Sequence, residues 1–193
     1  MRKLLEGRPF RRLSETRGSE AHFKMSTFFY FAYGSNMFTK RLTQRVNSAR
    51  AWRTGFIAGY RLTFHKRSKD GSGKCDAEPT GSPDDRVYGV VYEVNAKQEP
   101  ELDKAEGVGR KGGYKKTDVT VVCGTERICA KTYCATDKDP KHIPYAWYKE
   151  LVLAGAREHH LPEAYIQQIE DVESKEDPNA ERREKNLKIL NSG

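Results

Sequence analysis

Two features of this 193-residue chain could do chemistry: a single placed carboxylate and a run of small residues behind a strand. The carboxylate is Glu106, in Glu101-Leu102-Asp103-Lys104-Ala105-Glu106-Gly107-Val108. Pro100 opens a short helix there, and the glycines that follow (Gly107, Gly109, Gly112, Gly113) end it, so Glu106 falls at the helix terminus beside a loop. The negative end of the helix dipole disfavours an anion at that place, and burial disfavours it further. Glu106 is therefore expected to accept a proton more readily than a glutamate on open surface. Read as structure alone, the same position is a solvated helix-terminal acid.

The second feature is Tyr30-Phe31-Ala32-Tyr33-Gly34-Ser35-Asn36, where an apolar strand over residues 27–33 runs straight into Gly34. Glycine lets the backbone turn tightly and approach a ligand. Ser35 or Asn36 can cap the helix suggested by Met37-Phe38-Thr39-Lys40-Arg41-Leu42, and the free amides at its start point at whatever sits there. Taken alone, Gly-Ser-Asn is also ordinary turn chemistry.

Three more segments accompany these two: Val87-Tyr88-Gly89-Val90-Val91-Tyr92, then Tyr114, then Tyr148 with Gly155-Ala156 and Leu161-Pro162. In this order they resemble the gamma-glutamylcyclotransferase family over residues 27–170. The resemblance implies an α+β fold, a small mixed, partly closed β-barrel with flanking helices. It also implies conversion of a γ-glutamyl amine to 5-oxoproline and the free amine, with neither metal nor organic cofactor. By the same match Glu106 is the general base, Tyr30, Phe31, Ala32, Tyr33, Gly34 and Ser35 form the substrate cradle, and Tyr114 and Tyr148 belong to the substrate site. The motif Gly34-Ser35-Asn36-Met37 fits the general γ-glutamyl dipeptide branch better than the branches that resemble glutathione-specific or γ-glutamyl-lysine enzymes. Residues 67–85 and the basic loop after Glu106 depart from the family pattern and leave the preferred leaving amine open.

Such a reaction asks little of the protein. The substrate's own α-amine lies four bonds from the δ-carbonyl that it attacks, so ring closure needs orientation more than an enzymic nucleophile. What remains is a base to move a proton from the α-ammonium to the departing amine, and donors for the oxygen of the tetrahedral intermediate. No Ser-His-Asp or Cys-His arrangement is needed, and His22, His65, His142, His159 and His160 form no catalytic spacing. His159-His160 reads as a helix-end feature. The phenol of Tyr148 sits on an apolar helical stripe, which on pattern alone makes it core with its hydroxyl at the rim.

Composition sets the outer limits. With 36% hydrophobic residues the chain can build one real core, and no apolar run approaches a membrane span or a secretory signal, so a cytoplasmic location is expected. Cys75, Cys123, Cys129 and Cys134 lack Cys-x-x-Cys pairs and zinc spacing and read as reduced thiols in or near strands. The net charge of +8 raises a competing function class, a catalytically silent domain of the same fold that binds an acidic partner or nucleic acid. Its distribution disfavours nucleic acid: half of it lies in residues 1–24, with seven bases against three acids. Those acids also argue against a mitochondrial presequence, the alternative address for a basic leader.

The expected organisation is a basic, disordered leader over residues 1–25, a catalytic domain over 26–172, and a charged C-terminal tail over 173–193. Within the domain, residues 51–66 alternate as one or two strands, 67–85 read as loop, and 86–94 as a strand interrupted by Gly89. Two further strands flank Gly124-Thr125-Glu126 as a hairpin, which argues against a doubly wound parallel sheet. From Pro144 the period becomes helical, with Tyr148, Leu151, Val152 and Gly155 on one face and a second short helix after Leu161-Pro162. Asp177-Pro178 can cap a last helix with only Leu187, Ile189 and Leu190 to bury. It packs either on the domain or on a second copy of the chain in a homodimer, and the sequence leaves both open.

Overall fold

The computed structural model describes residues 26–191; the basic leader lies outside the described residues. In chain order the strands are β1 (Thr27–Ala32), β2 (Arg50–Ala58), β3 (Tyr60–Arg67), β4 (Gly73–Pro79), β5 (Arg86–Asn95), β6 (Tyr114–Cys123) and β7 (Glu126–Ala135). The helices are α1 (Thr39–Thr43), α2 (Glu99–Glu106), α3 (Ala146–Glu158), α4 (Glu163–Glu170) and α5 (Ala180–Asn191). Five strands close a barrel in the order β1-β5-β2-β6-β7, antiparallel except at the seam, where Tyr30 of β1 pairs in parallel with Lys131 of β7. The Thr132 hydroxyl seals that seam by donating to the Phe31 carbonyl at 2.8 Å. The fold is thus the mixed α+β barrel with flanking helices that the sequence led us to expect.

Two glycines let the barrel close. Gly55 and Gly89 face each other across β2 and β5. A Cβ on Gly89 would lie 2.3 Å from the Ala32 carbonyl, and one on Gly55 would lie 2.6 Å from the Val122 carbonyl. The glycine inside β5 therefore marks close backbone approach to β1. Around it Phe31, Val90, Val91, Tyr92, Leu102 and Leu151 are fully buried, each contributing roughly 1.5–3 kcal/mol of apolar transfer.

The expectation of a loop over residues 67–85 is corrected. β4 lies within it and pairs antiparallel with β3, Leu62 opposite Ala77 and Arg61 opposite Glu78, in a separate two-stranded ribbon. Its composition is poor in β-formers, yet long-range contacts override propensity. Asp76 is fully buried because its Oδ1 accepts the Ala135 amide at 2.7 Å and its Oδ2 pairs with Lys138 at 2.5 Å.

Of the flanking helices, α3 matters most for the site. Gly155 lets it dock on the turn after β1: a Cβ there would be 2.4 Å from the Phe38 nitrogen. Tyr148 lies seven residues earlier, two turns along the same face, and so points to the same end of the barrel. His159 ends α3 and reaches the Tyr92 hydroxyl at 3.0 Å, in keeping with a helix-end role. The tail helix α5 is seated on the domain by Asp177, which is buried and takes the Trp147 indole N–H at 2.8 Å and the Arg182 guanidinium at 2.6 and 2.5 Å. All four cysteines lie on strands and are unpaired. Among the described residues no helix is long and apolar enough to cross a membrane.

Candidate active site

A cavity of about 300 Å³ opens where β1 leaves the barrel, between α2, α3 and the β3–β4 ribbon. Its floor joins the two features that the sequence singled out. Beyond β1 the chain makes a single 3-10 turn, Ser35–Met37, closed by the Met37 amide on the Gly34 carbonyl at 2.9 Å. Gly34 leaves room for the opposite wall, since a Cβ on it would stand 3.0 Å from the Cys75 Cβ and 3.3 Å from the Tyr148 hydroxyl.

Glu106 arrives from the other side. Gly107, at φ 70°, terminates α2 immediately after it. The helix itself is held on the barrel by Lys116, which pairs with Glu99 at 2.7 Å and Asp103 at 2.8 Å, and by the Tyr133 hydroxyl, which donates to Asp103 at 2.7 Å. The Glu106 side chain, only 12% exposed, accepts two bonds on Oε1: Asn36 Nδ2 at 2.8 Å and Arg45 Nη1 at 2.9 Å. No hydrogen bond among the described residues occupies Oε2.

Asn36 is the hinge of this arrangement. A carboxylate only accepts, so the Asn36 amide must turn its NH₂ toward Glu106; its other N–H goes to the Tyr30 hydroxyl at 2.9 Å. The Asn36 carbonyl oxygen is then left buried and without a partner. An unmet buried acceptor costs about 1–3 kcal/mol, a cost that a ligand N–H donor would remove.

Five phenols line the cavity in neutral form. Burial pushes the hydroxyls of Tyr30, Tyr33, Tyr114, Tyr133 and Tyr148 well above the usual phenol range. Tyr148 accepts the Cys75 amide at 3.1 Å and Tyr114 donates to the Cys75 carbonyl at 2.8 Å, so the two clasp the main chain of β4 on either side of the Cys75 Cα. Tyr33 instead donates to the Tyr133 carbonyl and serves as an anchor. The Cys75 thiol, buried in the same wall, is pushed up to about 12 and stays protonated.

Of the residues singled out from sequence, Tyr30, Tyr33, Gly34, Ser35, Glu106, Tyr114 and Tyr148 all line this one cavity. Phe31 and Ala32 do not: their side chains are buried in the core. Sequence reasoning missed Arg41, Arg45, Lys66, Lys74 and Tyr133, and weighed Asn36 only as a helix cap. Arg41 and Arg45 carried a readable signal, a four-residue spacing directly after the cradle. Lys66 and Lys74 carried none, since they come together only through the unforeseen ribbon. Among the described residues no three His, Cys, Asp or Glu side chains cluster in a way that could hold a metal ion.

An AIG2-like family model matches residues 86–169. Gamma-glutamylcyclotransferase of Bos taurus is 35% identical over 153 residues, which cover 76% of this chain and 79% of that protein. The Homo sapiens protein of the same name is 33% identical over equal shares of both. A solved structure described as a gamma-glutamyl cyclotransferase superposes with a TM-score of 0.77 at 28% identity, covering 87% of this chain and 100% of its own.

Proposed function

Because the chain belongs to the gamma-glutamylcyclotransferase family and is an enzyme of that type, we propose that it converts γ-glutamyl amino acids to 5-oxoproline and the free amino acid. In this reading the glutamyl α-ammonium sits between Glu106 and the unpartnered Asn36 oxygen. Glu106 takes one proton through its unoccupied Oε2, and the freed amine attacks the δ-carbonyl. A C–N bond forms to the α-nitrogen, the oxygen charge rests on neutral donors such as Tyr30 and the amides at Ser35, and the bond to the departing amine breaks as Glu106 returns the proton, the ring nitrogen's second proton leaving with the freed amine as its ammonium. Arg45 holds the carboxylate in place, and Phe31 and Ala32 support the cradle from the core.

The observation that carries this reading is the 2.8 Å bond between Asn36 and Glu106, which ties the helix-end carboxylate to the cradle inside one cavity. It is tested by Glu106→Gln, which keeps the side chain's shape and removes the proton acceptor. Release of 5-oxoproline from a panel of γ-glutamyl dipeptides, γ-glutamylamines and glutathione is expected to fall by at least about 10³-fold, with circular dichroism and Tm showing an intact fold. Turnover at the wild-type rate would end the assignment.

A further inference from the structure

The wall of the cavity carries eight bases and one acid, Glu106. Glu106 is already engaged by Arg45, and Asp70 lies 2.9 Å from Lys74. For Arg41, Lys66, Lys69, Arg110 and Lys111, no carboxylate lies within 4.0 Å among the described residues. We propose that this excess selects the leaving amine, and that the preferred substrates are γ-glutamyl conjugates of acidic amino acids, whose side-chain carboxylate seats among Lys66 and the exposed rim bases Lys69, Arg110 and Lys111. The inference rests on the cyclotransferase reading and names the substrate class for it.

Charge accounting supports it. A γ-glutamyl conjugate of a neutral amino acid brings one ammonium and two carboxylates. Glu106 and Asn36 answer the ammonium, and two cations answer the carboxylates, which leaves cations over. A third carboxylate on the departing side uses them, and the departing side is where they stand if the glutamyl half is fixed at Glu106. Arg110 and Lys111 follow Glu106 in the loop, while Lys66 and Lys74 face it from β3 and β4.

These ammonium groups are also built in rather than trailing in solvent. Lys66 Nζ lies 5.1 Å from the centre of the Tyr114 ring, and Lys74 Nζ 4.5 Å from those of Trp147 and Tyr148. The rings of Tyr114 and Tyr148 are those whose hydroxyls clasp the Cys75 main chain, so the same contacts that shape the wall aim the charges. Burial pulls the Lys74 ammonium down to about 8, with Arg41 and Lys66 adding repulsion against the attraction of Asp70. Burial disfavours the Lys66 ammonium, while Glu106, Asp70 and Asp137 attract it from beyond ion-pair distance and Lys69 repels it. Cations pressed together in one cavity are a cost that a polyanionic ligand relieves.

The test compares γ-glutamylglutamate with its uncharged near-isostere γ-glutamylglutamine. The acidic substrate is expected to show a kcat/KM about tenfold or more higher at low ionic strength, a ratio that shrinks at roughly 0.5 M salt. The ratio should fall toward one in Lys66→Gln combined with Lys111→Gln; being taken within each protein, it is insensitive to any general loss of activity. A ratio near one in the wild type, with 5-oxoproline still released, overturns the selectivity and leaves the cyclotransferase reading standing. If no γ-glutamyl compound is turned over, calorimetric binding of the two dipeptides to the protein decides: tighter binding of the acidic one keeps the anion-selective cavity, and equal binding overturns it.

Discussion

Asn36 and Glu106 lie 70 positions apart and meet at 2.8 Å, Nδ2 to Oε1, on the floor of one cavity. Both N–H groups of Asn36 are committed, one to Glu106 and one to Tyr30, so a single side chain orients the carboxylate and a phenol together. Asn36→Ala removes both bonds and the buried acceptor at once. A hydrogen bond to a charged group is worth about 1.5–3 kcal/mol, so kcat/KM is expected to fall by roughly 10- to 100-fold. Steady-state release of 5-oxoproline checks this, and an unchanged value would show that Asn36 does no more than shape a turn.

Gly155 decides where Tyr148 stands. An alanine inside a helix normally gains about 1 kcal/mol over glycine. Here its Cβ would lie 2.4 Å from the Phe38 nitrogen and 2.6 Å from the Met37 carbonyl carbon, both main-chain atoms. Overpacking of that kind costs about 1–3 kcal/mol, so the two effects oppose and packing wins. Gly155→Ala should therefore lower Tm by a few degrees and, by lifting α3 off the turn, raise KM through Tyr148. A higher Tm would mean that the helix does not dock this closely.

Much of this was legible in the chain because the informative signals were local. The glycines that end α2 placed Glu106 at a helix terminus, the strand-to-Gly34 junction marked the turn that lines the cavity, and the three-and-four spacing after Pro144 marked the buried face of α3. What escaped were pairings between distant segments. β4 is spelled Gly73-Lys74-Cys75-Asp76-Ala77-Glu78-Pro79, a composition that reads as loop, and it becomes a strand because Ala77 finds Leu62 while Ala135 and Lys138 satisfy Asp76. Lys66 and Lys74 enter the cavity only through that pairing. Phe31 and Ala32 illustrate the opposite limit: a motif names a contiguous stretch, whereas a strand exposes only some of its residues to a ligand.

Asp177 ties the C-terminal helix to the domain, and its protonation should release it. Hydrogen bonds from Arg182 hold its carboxyl well below the usual range, with the Asn179 amide and the Trp147 indole adding to the effect. The folded value lies below the unfolded value of about 3.9, so the stabilisation is fully present above pH of about 3.9 and is lost as pH falls toward the folded value. Thermal melts between roughly pH 5 and 2 should fall more steeply for the wild type than for Asp177→Asn, which already lacks the charge. Parallel curves would show that the Arg182 pair contributes nothing to docking α5.

Cys75 offers a check on the cyclisation chemistry, because a thiol in the cavity wall invites the alternative of an enzymic nucleophile. Its reactivity argues otherwise. With its pKa pushed up to about 12 by burial, the thiol is ionised to roughly one part in 10⁴ at pH 8, and only the thiolate attacks. It is 2% exposed and packed beside Gly34, whereas Cys129 faces solvent. Iodoacetamide at pH 8 is expected to modify Cys129 and to leave Cys75 untouched in the folded protein, with release of 5-oxoproline retained. Peptide mass analysis alongside the activity assay reads both outcomes. Alkylation of Cys75 at the rate of Cys129, with parallel loss of turnover, would point to a reactive thiol and away from attack by the substrate's own amine.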